Sequence, residues 1–260
     1  MRRDKKVVYY RDPVHDDFAG THIDTGVVDV SYPYVHNRFW NGFSAVLYAL
    51  VVPVVWFLHR VIAGVRFSGR SNRRQVDGPC FLYGNHTAMF DAYTPALLSF
   101  PRRADVLAGA DAFSIRGLRT IVQMLGAVAV PNRVSGMKHF MDAVERSYQA
   151  GRDIAVFPEA HIWPYYTGVR PLSPTSFSYP VKLNAPVIAF FTAYSEPKGI
   201  FRAFRKTSTV VYVSEPIYPD RNLPYKEAQR DLCERVSAFF AQTSRAHSTY
   251  SPIEYVQVKE

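Results

Sequence analysis

From Phe39 to Leu58 the chain carries no charged residue. No other feature restricts its fold so strongly. The apolar part, Phe43 to Leu58, is 16 residues long. A straight helix across a bilayer needs about 20 residues, and a run of about 10–14 suggests a re-entrant, interfacial or buried segment. The stretch falls between these limits, so spanning and dipping both stay open. Pro53 predicts a kink. Trp40 and Trp56 stand near the two ends, where interfacial anchors belong. A basic run follows, Arg60, Arg66, Arg70, Arg73 and Arg74, with no acid before Asp77. Basic side chains beside an apolar helix attract anionic lipid heads. The segment 39–66 is therefore read as a membrane-associated helix. The competing reading is a core helix followed by a solvated loop.

The rest of the composition suits a folded domain. With 48% hydrophobic and 20% charged residues, the chain is neither disordered nor a polytopic membrane protein. Its 260 residues suffice for one sizeable core. Cys80 and Cys233 are too few for a disulfide framework or a four-cysteine zinc site, and are expected as reduced core residues. The net charge of +9 favours an anionic partner.

Beyond Pro79 short β-rich runs recur at 79–84, 104–109, 127–131, 153–158, 186–191 and 209–213. Helical spacing separates some of them. Met137, Phe140, Met141, Val144 and Tyr148 share one face, as do Tyr225, Ala228, Leu232, Val236 and Phe239. Strands alternating with helices predict an α/β domain with a mostly parallel central sheet flanked by helices. The parse is an extended arm (1–38), the membrane-associated helix (39–66), an α/β domain (67–245) and a tail (246–260).

Chemistry concentrates at strand ends. Asn85-His86-Thr87-Ala88-Met89-Phe90-Asp91 follows the first apolar run, and ligands of open α/β sheets sit at the carboxyl ends of strands. On one helix His86 and Asp91 would diverge by about 140°. With His86 in the loop and Asp91 in the first helical turn, they meet. Asp91 then orients the imidazole and stabilises its protonated form, and the other nitrogen is left as a general base. Asn85 is expected to be the turn residue that aims His86. Arg133 ends the run GAVAVPNR at another strand tip, where a guanidinium can clamp phosphate. Glu159 follows a proline at the end of DIAVFP and would face the same cleft.

In this order, NHxxxxD, a strand ending in arginine, Pro-Glu and a PVI strand, the chain resembles the glycerolphosphate acyltransferase family, which includes 1-acylglycerol-3-phosphate acyltransferases. The similarity covers roughly residues 40 to 215. The third family motif usually reads FPEGTR; here it reads Phe157-Pro158-Glu159-Ala160-His161-Ile162. A branch of the family has Pro-Glu followed by His or Ser, then Trp, with a downstream Arg-Pro, which here is Arg170-Pro171.

The resemblance implies a mechanism. His86 deprotonates a hydroxyl of a lysophospholipid, and the oxygen attacks a fatty acyl thioester of coenzyme A or acyl carrier protein. No cofactor, no metal and no acyl-enzyme is implied. Asp91 would orient His86, Arg133 would hold acceptor phosphate, and Glu159 would bind acceptor or order the cleft. His161 stands where relatives carry threonine and would donate a hydrogen bond; Arg170 would restore the missing positive charge. Membrane phospholipids are the expected partners, with the domain on the cytoplasmic side of the cell membrane. Alternatives are a hydrolase built on His86 and Asp91, though no GxSxG elbow is present, a metal site from His86, Asp91, Glu159 and His161, and a non-catalytic lipid-binding relative. A nucleic-acid role is disfavoured, because the basic residues are scattered and no nucleic-acid motif is present. A further basic run, Lys198, Arg202, Arg205 and Lys206, is a second candidate for lipid heads or an acidic carrier.

Overall fold

The computed structural model describes residues 5–18, 28–29, 31–35, 37–113, 118–200 and 204–258. Arg202 lies outside them.

A seven-stranded sheet organises the domain. Its strands are β2 (Arg66–Ser68), β3 (Phe81–Gly84), β4 (Ala104–Ala108), β5 (Ala127–Ala129), β6 (Asp153–Val156), β7 (Val187–Ser195) and β8 (Ser208–Val213), in the order β2-β8-β7-β3-β6-β4-β5. Every pairing is parallel except β7 with β8. The expected α/β architecture is therefore present, with one antiparallel join. The apolar runs of the sequence become strands because both faces of a parallel sheet are covered. Phe81 and Tyr83 point to one face, into a core shared with Phe140 and Val144 of α4 (Met137–Gln149) and Leu232, Val236 and Phe240 of α6 (Tyr225–His247). Cys80 and Leu82 point to the other, with Ile188, Phe190 and Leu98. Both cysteines are free and buried.

On that second face lie α1 (Arg38–Phe57) and α2 (Thr94–Ser99). The first helix continues past Pro53 and ends in a π-helical turn, Leu58–Ile62. It presents one inward stripe. Ser44, Tyr48 and Val52 are buried, Val55 is partly so, and His59 continues the line. Their steps of four, four, three and four residues keep one face of a helix. Tyr48 Oη accepts a hydrogen bond from the Ala104 N–H at 3.1 Å, at the start of β4. Val52 packs with Leu97 of α2. The helix thus runs along the domain from the amino to the carboxyl ends of the strands. Phe39, Phe43, Val46, Leu50, Val54 and Phe57 face outward, exposed. A core helix would have them covered.

The basic run after α1 does not act as a unit. Arg60, Arg66 and Arg74 are exposed, but Arg73 is buried. Its Nε and Nη2 donate to the two carboxylate oxygens of Asp153, at 2.8 and 2.6 Å. Asp153 Oδ1 also accepts from the Cys80 N–H, at 3.0 Å. Arg73 therefore joins the starts of β3 and β6. Arg70 spends part of its guanidinium on the Leu97 carbonyl.

A separate two-stranded sheet joins the chain's ends. The strand β1 (Lys6–Tyr10) pairs in parallel with β9 (Ile253–Gln257), Lys6 opposite Ile253 and Tyr10 opposite Gln257.

Candidate active site

The site is built where β3 and β6 end side by side. Gly84 closes β3. A Cβ there would come within 2.1 Å of the Phe190 ring, so only glycine lets β7 pack this close. Asn85 follows, fully buried. Its side chain mimics a peptide: Oδ1 accepts from the Thr192 N–H at 2.7 Å, and Nδ2 donates to the Thr192 carbonyl at 3.2 Å. The strand pairing thus continues one residue past β3, and His86 leaves it in a fixed direction.

His86 and Asp91 come together, with His86 in the loop and Asp91 in the turn that follows. The imidazole Nδ1 stands 3.9 Å from Asp91 Oδ2, in ion-pair range and short of a hydrogen bond. Nδ1 is buried and takes no other partner. The imidazole side chain keeps 15% of its surface open, and its ring stacks on Phe157 with centroids 4.4 Å apart. Asp91 sits in the short turn Met89–Tyr93. Its Oδ2 accepts from the backbone N–H groups of Thr87 and Ala88, at 2.6 and 2.7 Å. The carboxylate therefore shapes the loop that carries His86 as well as facing its ring.

The loop after β6 holds the opposite wall. Glu159 is buried and accepts from the His86 N–H through Oε2, at 3.2 Å. Arg170, also buried, donates to the same oxygen from Nη2 and Nε, at 3.2 and 3.4 Å. It reaches the His161 carbonyl as well and lies over the Trp163 ring. The backbone N–H groups of Trp163 and Tyr165 donate to the carbonyls of His86 and Thr87, at 3.2 and 3.0 Å. Three hydrogen bonds thus join this loop to the base loop, and three more from Arg170 hold Glu159 and the His161 carbonyl within it. Ala160, standing where FPEGTR has glycine, has φ of +63°. A glycine would adopt that conformation without the Cβ penalty of about 1–2 kcal/mol. Here the surrounding bonds impose it on alanine.

Glu159 Oε1 is buried without a partner, and all three donors converge on Oε2. Burial pushes the Glu159 carboxyl above its usual 4.5, against the pull of Arg170. The folded protein thus keeps a proton on Glu159 at pH values where the unfolded chain has lost it. That contribution to stability is full below about pH 4.5 and is lost as pH rises through the folded-state value. Urea midpoints measured upward from about pH 4.5 should fall more steeply in wild type than in Glu159→Gln. Parallel curves would show that Glu159 ionises normally.

His161 is part-exposed, with Nδ1 3.7 Å from Asp17 Oδ2 of the amino-terminal arm. Arg133 stands apart from the rest. It is exposed, in the turn after β5 at the sheet's edge; nearby Asp29 is held ionised chiefly by its hydrogen bonds from Ser31, with a smaller pull from the Arg133 charge. Three strand spacings, about 14 Å, separate β5 from β3. Among the described residues no ion pair joins Arg133 to the His86 cluster.

Several contributors escape sequence reading. Phe157 backs the imidazole. Thr192 receives Asn85. Trp163 is fully buried, and its Nε1 donates to the Asp16 carbonyl at 2.7 Å. Tyr10, Phe18 and Tyr255 pack around its ring, so β1, the arm and β9 together brace the loop of Glu159. A tryptophan just past Pro-Glu was the one available signal.

The arrangement offers a braced imidazole at a strand tip, beside an apolar helix. The family described as Acyltransferase matches residues 64–219. Among solved structures, the crystal structure of the 1-acyl-sn-glycerophosphate (LPA) acyltransferase PlsC from Thermotoga maritima is similar, with 18% identity and a TM-score of 0.55. It covers 82% of this chain and 90% of that one, a likeness of fold. No curated protein matches by sequence. With a match across more than half of its length, this chain belongs to the acyltransferase family.

Proposed function

We propose that the chain moves a fatty acyl group from an acyl thioester to a hydroxyl of a lysophospholipid such as 1-acyl-glycerol-3-phosphate. The supporting observation is His86, part-open at the tip of β3 with Asp91 at 3.9 Å behind it. The solvent-facing side of the ring takes the hydroxyl proton as the oxygen attacks the thioester carbonyl. Asp91 stabilises the imidazolium so formed. When the tetrahedral intermediate collapses, the carbon–sulfur bond breaks and the thiolate takes that proton. The ester is made, and the imidazole is neutral again. Asp91 already receives two backbone N–H groups, so its carboxylate is held in place before substrate arrives. A separation of 3.9 Å in the free enzyme is compatible with closer approach once substrate is bound.

The outward face of α1 supports work at a bilayer. The helix packs along the domain, so in this reading it lies in one leaflet with its apolar side down. Exposed Phe90, Ile200 and Phe204 add apolar surface, and the exposed Arg60, Arg66 and Lys206 would meet anionic head groups. Acyl-CoA or acyl carrier protein would arrive from the cytoplasmic side.

The test is acyl transfer by membranes containing the full chain, from labelled acyl thioesters to a panel of lysolipids. Diacyl product from wild type and none from His86→Ala is the expected result. Equal product from both would remove His86 as the base. For Arg133, its strand-end placement and exposure support a phosphate contact. Arg133→Ala should raise the acceptor KM by about tenfold, the weight of one charge-assisted pair, and leave kcat within about twofold. An unchanged KM would end its phosphate role.

A further inference from the structure

His59 is the only polar side chain that the end of the apolar helix turns inward. Leu58, Arg60, Val61 and Ile62 of the same π-helical turn are exposed; His59 is 6% exposed. Its Nε2 lies 3.2 Å from the Phe90 carbonyl oxygen. A carbonyl only accepts, so Nε2 carries the hydrogen. The neutral ring then has its lone pair on Nδ1, which is buried with no partner. An unpartnered buried nitrogen costs the fold stability, and Val52 and Val55 show that aliphatic side chains serve elsewhere on this stripe. What histidine adds at position 59 is the bond to Phe90. Phe90 lies between His86 and Asp91, one residue before the carboxylate.

We propose that His59 is a positioning residue. It fixes the Phe90 carbonyl, and through it the loop that sets Asp91 against His86, to the end of the apolar helix. Membrane seating and site geometry are thereby one mechanical unit. The opposite end of the same stripe is tied to the sheet through Tyr48 and Ala104, so the helix acts as a stay between the sheet and the base loop. The inference rests on reading His86 and Asp91 as base and orienter.

The experiment compares His59→Leu, His59→Gln and His59→Asn in the full chain, on vesicles of phosphatidylethanolamine and phosphatidylglycerol. The glutamine amide extends far enough to donate to the Phe90 carbonyl; asparagine is shorter and leucine donates nothing. Leucine and asparagine should lower kcat by about tenfold, since small displacements of reacting groups are costly, with KM within about twofold. Glutamine should recover to within about threefold of wild type. Vesicle flotation should be the same for all. Amide hydrogen exchange in the peptide 86–94 should quicken in the leucine and asparagine variants, and exchange in 225–247 should not. The exchange arm needs no turnover, so it still reads the loop if the proposed reaction is wrong. Unchanged exchange in 86–94 overturns the inference. So does glutamine no better than asparagine, or a loss of flotation that accounts for the loss of rate.

Discussion

His86→Ala should reduce acyl transfer by about 10²–10⁴-fold, the usual worth of a placed general base. The protein should stay folded, because the ring makes no hydrogen bond that holds the loop. That work is done by Asn85, Asp91 and Glu159. Asp91 separates two contributions. Asp91→Asn keeps a carbonyl oxygen to receive the Thr87 and Ala88 N–H groups, and loses the charge and the weak acceptor at Oδ1 for Thr192. It should fall by up to about 10⁴-fold with little change in melting. Asp91→Ala loses both and should also loosen the loop. Steady-state rates on lysolipid vesicles, with melting curves, resolve the three. Wild-type rates for Asp91→Asn would mean that Asp91 acts through the backbone alone.

The second large effect concerns stability. Arg170→Met should lower it by about 3–5 kcal/mol near neutral pH, the cost of leaving one partner of a buried pair. Both side chains are 1% exposed, so water does not replace the lost donor. Glu159 would take up a proton, which limits the damage at acid pH. The double change Arg170→Met with Glu159→Gln should recover most of the loss, since neither charge is then buried alone. Urea unfolding of the four proteins gives the coupling directly. If the double variant were no better than Arg170→Met, the pair would not be what holds the loop. The family's usual third motif puts its arginine three residues after the glutamate. Here the guanidinium comes from Arg170, eleven residues along, and is spent inward on Glu159 and the His161 carbonyl.

What could be read from the chain follows a physical boundary. The strands β3, β6 and β7 are buried on both faces, and such strands show as apolar runs. β1 and β9 form a mostly exposed two-stranded ribbon, so neither has the long buried apolar run that marks the central strands. His86 and Asp91 were legible because their juxtaposition depends on five residues and one strand tip. The bond from the His86 N–H to Glu159 spans 73 residues and needs the pairing of β3 with β6 to exist. Arg73 looked like one more member of a basic surface patch. Only the sheet brings Asp153 to it. His59 had no visible partner for the same reason: Phe90 reaches it through the docking of α1, and that docking depends on a stripe whose outward neighbours are equally apolar.

The ribbon that joins residues 6–10 to 253–257 also sets an order of assembly. During synthesis the apolar helix leaves the ribosome some two hundred residues before the strand that completes this ribbon. Until then Trp163 lacks Tyr255, and the loop bearing Glu159 is not fully clamped. A chain emerging from the ribosome therefore acquires the last wall around Trp163, and with it the finished clamp on the Glu159 loop, only when β9 has been made.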